Sequence, residues 1–374
     1  MKMVIMMEKN IMKKTIVSGI GPGSGGVGNY ITYISQHFPN INLIFPGRSN
    51  SKISFINKVF NFFTIQFLFI KVLFVRKHHV LIFSQQYLKL SLIKYLVKNN
   101  RTTFYLMDNS FFCVKSYNYL ESKKGECFEC LGGKWENIKK NKCKTQPFIV
   151  QRKKYVKINQ YLLENRDNLE FITLSETNIK LLEKHLGGNH KVKYNYFMTN
   201  ELLDNPKTIN NLKIKAKFDF VFHGSDINSK GYSYYIDLAK SMPDFSFFVP
   251  TSRDVKLNNV TCKNIRWETG LQEIISDSKI ILTPSMWSNT PEASMLKSLK
   301  YNGCVALIKT EFGFAQEMPL DSFVNLSGDS FKDAELLTSL IKDEPQIELY
   351  KIRGKEYFQD YLEQANKSLL ELFN

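Results

Sequence analysis

The strongest constraint on the fold is an alternation of short apolar β-prone runs with amphipathic helical stretches, in two series separated by a polar segment. In the first series Thr15–Gly19 reads as a strand and runs into a glycine-rich turn. A helix over Asn29–His37 follows, with Ile31, Ile34 and Phe38 on one face. Val80–Ser84 and Thr102–Met107 read as further buried strands on either side of a helix over Leu88–Lys98. Phe171–Ser175 is a strand before a helix over Glu176–Leu186, which Gly187-Gly188 ends. The stretch Asn200–Lys217 is polar, carries Pro206 and has no apolar period, which predicts an interdomain linker. The second series places strands at Phe218–Phe222, Phe245–Pro250, Ile280–Thr283 and Val305–Ile308, with helices over Tyr232–Ser241 and Glu292–Lys300. Each helix carries the chain back to the edge it left, so the strands must lie parallel. The expectation is an α/β protein of two Rossmann-like domains, 1–205 and 206–374, long enough for two separate cores. A long charged helix over about Gln346–Leu372 is expected to cross back to the N-terminal domain.

Charge divides the chain at the same place. Residues 1–205 hold 31 Lys and Arg against 13 Asp and Glu, whereas residues 206–374 hold 20 against 22, so the whole excess of +16 lies in the first half. No acidic residue occurs between Lys9 and Met107. An entire basic half predicts a polyanionic partner (nucleic acid, phosphorylated glycan or an anionic membrane surface) over a merely soluble basic surface. Met1–Lys14 carries scattered lysines and no apolar core, so it does not read as a signal peptide. The most apolar stretch, Ile53–Val75, is interrupted by Lys58 and Lys71, and its uncharged run Val59–Ile70 is too short to span a bilayer. It reads equally as a buried helix and as one lying on a membrane. Six cysteines without a secretion signal predict a reducing compartment. The expected location is cytoplasmic, peripheral on the inner face of the cytoplasmic membrane.

Three segments carry the chemistry. The turn Gly21–Gly28 opens a helix, whose first N–H groups are unpaired and favour phosphate, and its glycines let a ligand approach the backbone. A dinucleotide site would place an acidic residue about 20 positions further on. Here the next one is Asp108, which disfavours that reading. In the second segment, Phe220–Gly231, a strand ends in a loop with Lys230, where an ammonium can neutralise a departing diphosphate. The commoner reading of any single loop lysine is a solvated one. In the third, Thr283–Gly303, a polar loop meets Pro291 and Glu292 at a helix start. Glu292 either complements the helix dipole or accepts hydrogen bonds from ribose hydroxyls, and the N–H groups of Asn289–Glu292 are placed to meet phosphate.

In order and spacing, several pieces resemble the family 4 retaining glycosyltransferases of the GT-B fold, over most of the chain. They are Gly25-Gly26-Val27 after the first strand, Leu174-Ser175-Glu176, Tyr194-Asn195-Tyr196, Gly224 with Lys230-Gly231, and Pro284-Ser285, Trp287, Pro291 and Gly303. The resemblance implies two domains facing a cleft and transfer of a sugar from a nucleotide-sugar donor with retention of configuration. It implies no obligatory metal, and no Asp-x-Asp motif is present. It places Gly25, Gly26, Gly224, Ser225, Lys230, Gly231, Asn289, Thr290 and Glu292 on the donor, with Lys230 and Glu292 as the residues carrying the chemistry and Asp108 on the acceptor side. The sequence also departs from the family. The donor-phosphate arginine falls at Ser225, the paired glutamates fall at Ser288 and near Lys297 or Ser298, and the usual His-Asp becomes Met107-Asp108. The stretch from Pro291 to Gly303 is two residues longer than usual. These departures fit a divergent subfamily, with an inactive homologue as the alternative.

Between the domains' motifs lies an irregular insert, 108–150, with Cys113, Cys127, Cys130 and Cys143. Four thiolates can close a tetrahedral zinc site, and free thiols are the competing reading. Some members of the resembled family carry a similar cysteine insert, which favours structural zinc. The expected acceptor is a glycan or lipid-linked oligosaccharide of cell-envelope polysaccharide, such as lipopolysaccharide O-antigen or capsule. The basic half is expected to meet an anionic membrane. A nucleic-acid partner is disfavoured, because it gives the neutral second half and its Lys-Gly loop no role. A non-catalytic homologue that binds nucleotide or glycan is the other alternative.

Overall fold

Both series of apolar runs become parallel sheets. The computed structural model describes residues 12–23, 25–46, 67–145, 150–188, 190–204 and 217–374. In the N-terminal domain β1 (Lys14–Ser18), β2 (Asn42–Ile44), β3 (His79–Phe83), β4 (Arg101–Tyr105), β7 (Glu170–Thr173) and β8 (Lys191–Tyr194) form a six-stranded parallel sheet, order β2-β1-β3-β4-β7-β8. The insert contributes a small antiparallel hairpin, β5 (Tyr119–Leu120) with β6 (Gly125–Glu126). In the C-terminal domain β9 (Phe220–Phe222), β10 (Phe247–Val249), β11 (Val260–Cys262), β12 (Ile280–Leu282), β13 (Val305–Ile308) and β14 (Val324–Leu326) repeat the plan, order β11-β10-β9-β12-β13-β14.

The central strands are buried on both faces, which is why they read as unbroken apolar runs. The strand order reverses between β1 and β3 in one sheet and between β9 and β12 in the other. At such a switch point the connections leave in opposite directions and open a crevice at the strands' C-terminal ends. The glycine turn follows β1, the Lys230 loop follows β9 and the Glu292 loop follows β12, so all three chemistry-bearing segments emerge at switch points.

The two domains share one apolar cluster. Phe197, Met198 and Leu202 pack with Met295, Leu296 and Leu299, and with Phe358, Tyr361, Ala365, Leu369 and Phe373 of the C-terminal helix. That helix, Glu344–Phe373, begins in the C-terminal domain and ends on the N-terminal one. Its Tyr361 hydroxyl donates to the Phe197 carbonyl at 2.9 Å and accepts from the Phe197 N–H at 3.0 Å. Ser368 donates to Asn195 Oδ1 at 3.0 Å, and the Phe373 ring lies 5.0 Å from that of Phe38. The expected crossing is therefore present. The linker differs at its start, where Asn200–Leu203 form a helical turn. Residues 205–216, with the domain boundary, lie outside the described residues, as do 53–66 of the apolar stretch and Ser24 of the glycine turn; residues 67–73 are helical.

Candidate functional site

Gly25 has φ +90° and caps the helix Gly26–His37 without a side-chain bond. A Cβ at Gly25 or Gly26 would meet nothing within 4 Å, so this side of the turn is open. A Cβ at Gly28 would instead lie 2.8 Å from the Gly23 carbonyl, so Gly28 serves the tightness of the turn. The helix start thus offers free N–H groups to open space.

Across from it, Gly231 adopts φ +80°, and a Cβ there would lie 2.1 Å from the Pro284 carbonyl. This close approach seats the Lys230 loop on the loop after β12, and Met286 N–H donates to the Ser229 carbonyl at 2.9 Å. Lys230 Nζ then meets Glu292 Oε1 at 2.7 Å, with the two side chains 14% and 9% exposed. The same carboxylate accepts from the Ser285 hydroxyl at 2.9 and 3.1 Å and from Trp287 Nε1 at 3.1 Å. The ammonium also lies over the rings of Tyr117 and Trp287, at 4.8 and 4.9 Å. Glu292 is the residue before the helix Ala293–Tyr301, yet its side chain makes no cap bond to it. The first N–H groups of that helix, at Ala293 and Ser294, stay available on the cleft wall.

These parts line one cleft of about 700 Å3 between the domains. Gly25, Gly26, Asp108, Gly224, Ser225, Lys230, Thr290 and Glu292 all border it. Gly231 and Asn289 do not. Gly231 serves the loop contact above, and Asn289 turns inward, its carbonyl accepting from Phe314 N–H at 2.9 Å. Asp108 is half-buried, which pushes its carboxyl up. The Ser110 N–H donates to it at 2.9 Å, and that bond, Ser116 and the Lys230 charge pull the other way. Sequence reasoning overlooked His223 and Tyr117. His223 is buried, accepts or donates at 2.8 Å with Ser298, and stacks on Trp267. Burial, then the Lys297 charge, holds its pKa well below the usual histidine range, so it stays neutral at physiological pH. Lys297 pairs with Glu201 at 3.0 Å and lies 4.2 Å from the Trp267 ring centre.

The insert closes one side of the cleft. Asn118 and Asn109 clasp Ser288: its N–H donates to Asn118 Oδ1 at 3.0 Å, its hydroxyl accepts from Asn118 Nδ2 at 2.8 Å, and its carbonyl accepts from Asn109 Nδ2 at 2.9 Å. Glu126 accepts from the Ser288 hydroxyl and from the N–H of Glu311 at 2.6 Å. The four insert cysteines lie near one another. Burial raises each resolved thiol, that of Cys130 to about 12, and neighbouring cysteines add to the shift. Among the described residues, however, no three His, Cys, Asp or Glu side chains form a group that could hold a metal.

Partial burial also raises the Glu126 carboxyl, against its bonds to Ser288, Glu311 and Phe312. A raised folded value favours the protonated form, so this residue's contribution is full below the ordinary glutamate range and fades as pH rises through the raised value. Glu126→Gln is therefore expected to melt no lower than the wild type at pH 8 and to narrow the difference in melting temperature between pH 5 and 8. Glu126→Ala strips the acceptor from three donors and is expected to cost about 1–3 kcal/mol by thermal denaturation.

No protein-family model matches the sequence, and no curated protein does. Solved structures do share its architecture. Anabaena HepE, in a complex with UDP, superposes with a TM-score of 0.63 at 11% identity, over 96% of this chain and 99% of that one. Sucrose-phosphate synthase from Thermosynechococcus elongatus gives 0.64 at 12% identity, over 96% and 98%. TarM gives 0.54 at 13% identity, and the chain spans 58% of TarM's length while 84% of this chain is covered. Two six-stranded parallel α/β domains facing a cleft, joined by a returning C-terminal helix, give this chain the GT-B fold of those glycosyltransferases.

Proposed function

We propose that this protein is a glycosyltransferase that moves a sugar from a nucleoside diphosphate donor to a glycan acceptor, with retention. One observation carries the reading. The open Gly25-Gly26 turn, the Lys230 ammonium and the free helix start at Ala293 converge on a single cleft where both sheets switch direction. Two helix N-termini and a cation are what a departing diphosphate requires. The nucleotide would lie on the C-terminal domain along His223–Ser225, and the acceptor would enter past Asp108. Uridine diphosphate is the first nucleotide to try, since the HepE structure holds UDP. The chemistry proposed needs no metal.

Family 4 membership and a cell-envelope acceptor belong to the same proposal, supported by the order of the sequence motifs. So does docking on an anionic membrane at the inner face. No helix among the described residues is long and apolar enough to cross a membrane. Phe67 and Phe74 are nonetheless 58% and 82% exposed beside Lys71, on the basic domain.

A second reading, a non-catalytic nucleotide binder, is favoured by one feature: Glu292 already neutralises Lys230, and Ser225 supplies no second cation. The test uses the purified chain with UDP-, GDP-, TDP- and CMP-sugars, following free nucleotide and, by calorimetry, binding. The proposal expects steady release from a UDP-sugar, faster when acceptor glycan is added. Binding without release would favour the second reading, and no binding of any nucleotide would remove both.

A further inference from the structure

A second hollow of about 430 Å3 opens beside the cleft, between the insert and the loop after β9. Tyr117 and Asp226 border both spaces, so the two adjoin. Lys115, Lys142 and Lys144 of the insert face Arg253 of the other domain across it, and Tyr117 and Tyr119 form aromatic wall between them. Two acids, Asp226 and Glu121, also border it. Asp226 pairs with Arg253 at 2.9 Å, and Glu121 accepts from the Asn228 side chain at 3.0 Å. Among the described residues Lys115 donates to the Tyr119 carbonyl, at 3.2 Å. Among the described residues no carboxylate lies within ion-pair distance, 4.0 Å, of Lys115, Lys142 or Lys144.

Four cations against two carboxylates leave the lining of this ligand-sized hollow with a net positive charge that a bound anion would offset. Neither the open glycine turn nor the helix start at Ala293 borders the hollow, so a diphosphate held by them leaves it free. Its walls come from both domains, which places it where an acceptor chain would continue out of the cleft. We infer that this hollow takes an anionic unit of the acceptor: a saccharide bearing a carboxylate or phosphate next to the sugar whose hydroxyl is attacked. The inference rests on the transferase reading and specifies its acceptor. The ammonium groups would hold the anion, and Tyr117 and Tyr119 would pack against the sugar ring.

The experiment measures binding to the full chain saturated with UDP, so that no probe can enter the diphosphate site. The probes are trigalacturonate for carboxylate, a glycerol phosphate trimer for phosphate, and maltotriose as the neutral reference. At least tenfold tighter binding of either anionic probe than of maltotriose is expected, weakening as salt rises. The double variant Lys142→Glu/Lys144→Glu should lose that advantage. Lys332→Glu/Lys367→Glu, with the same net charge change on exposed helices, should keep it. Preference for one anionic probe identifies the acceptor's charged group, and equal binding assigns the hollow to anions of either kind. If neither anionic probe exceeds maltotriose while UDP binds, the inference falls and the transferase reading stands. If UDP itself fails to bind, both fall.

Discussion

Lys230→Ala is expected to slow nucleotide release by about 10²–10³-fold, the usual cost of removing one charge-stabilising donor from a site where negative charge develops. The loss has a structural component that must be separated from the chemical one. Lys230 and Glu292 are largely buried and 2.7 Å apart. Removing one member of such a pair leaves the other uncompensated, at a cost of about 3 kcal/mol. Ser285 and Trp287 still donate to Glu292, which moderates that cost. Lys230→Met/Glu292→Gln removes both charges and keeps similar shapes, so its melting temperature should return towards the wild type. Its turnover should not. If the double variant regains release along with stability, the ammonium only holds the loop, and the diphosphate is stabilised by the two helix starts alone.

How far this site could be seen in the sequence follows from where each piece sits. Central strands such as Val305–Ile308 and the helices Glu176–Leu186 and Tyr232–Ser241 are legible to the residue, because double-sided burial demands unbroken apolar runs and helical faces demand a period. The outer strands β2, β8, β11 and β14 escaped notice for a physical reason. They pair on one side only, and Lys191–Tyr194 alternates lysine with Val192 and Tyr194 while remaining largely exposed. The helix Arg152–Glu164 was hidden by its charge, since its four buried positions are spread among Arg152, three lysines and Gln160. At the site, Lys230 and Glu292 could each be singled out by local context, but nothing local shows that they bond to each other. That contact depends on Gly231 passing against Pro284, a meeting of residues 53 positions apart. Tyr117 and Glu126 were less visible still. They lie in an irregular insert whose only sequence signal was cysteine, and they matter because tertiary packing lays that insert against Trp287 and Ser288.

The second large effect concerns the helix that joins the domains, and here two opposing quantities decide the sign. Gly354 sits inside the helix Glu344–Phe373, where replacing glycine by alanine ordinarily gains about 1 kcal/mol. A Cβ at Gly354 would, however, lie 2.1 Å from the carbonyl oxygen of Gly303. Gly303 is equally constrained: it has φ +92°, and a Cβ there would lie 2.1 Å from the Lys351 carbonyl. Two backbones in contact cannot yield as a flexible side chain would, so the helix itself must shift. Overpacking of this kind costs about 1–3 kcal/mol or more, enough to outweigh the propensity gain. The shift is not local. One turn beyond Gly354 the helix commits Phe358 and then Tyr361 to the shared apolar cluster, and Tyr361 to both backbone groups of Phe197. Displacing the helix at its pivot moves these contacts and with them the distance between the domains. Gly354→Ala is therefore expected to lower the melting temperature by several degrees, and Gly354→Val by more. Both should weaken UDP binding, although residue 354 is remote from the cleft, because its two walls are held by this helix. A melting temperature that rises on Gly354→Ala would mean that propensity has won and that the helix does not touch the turn before β13.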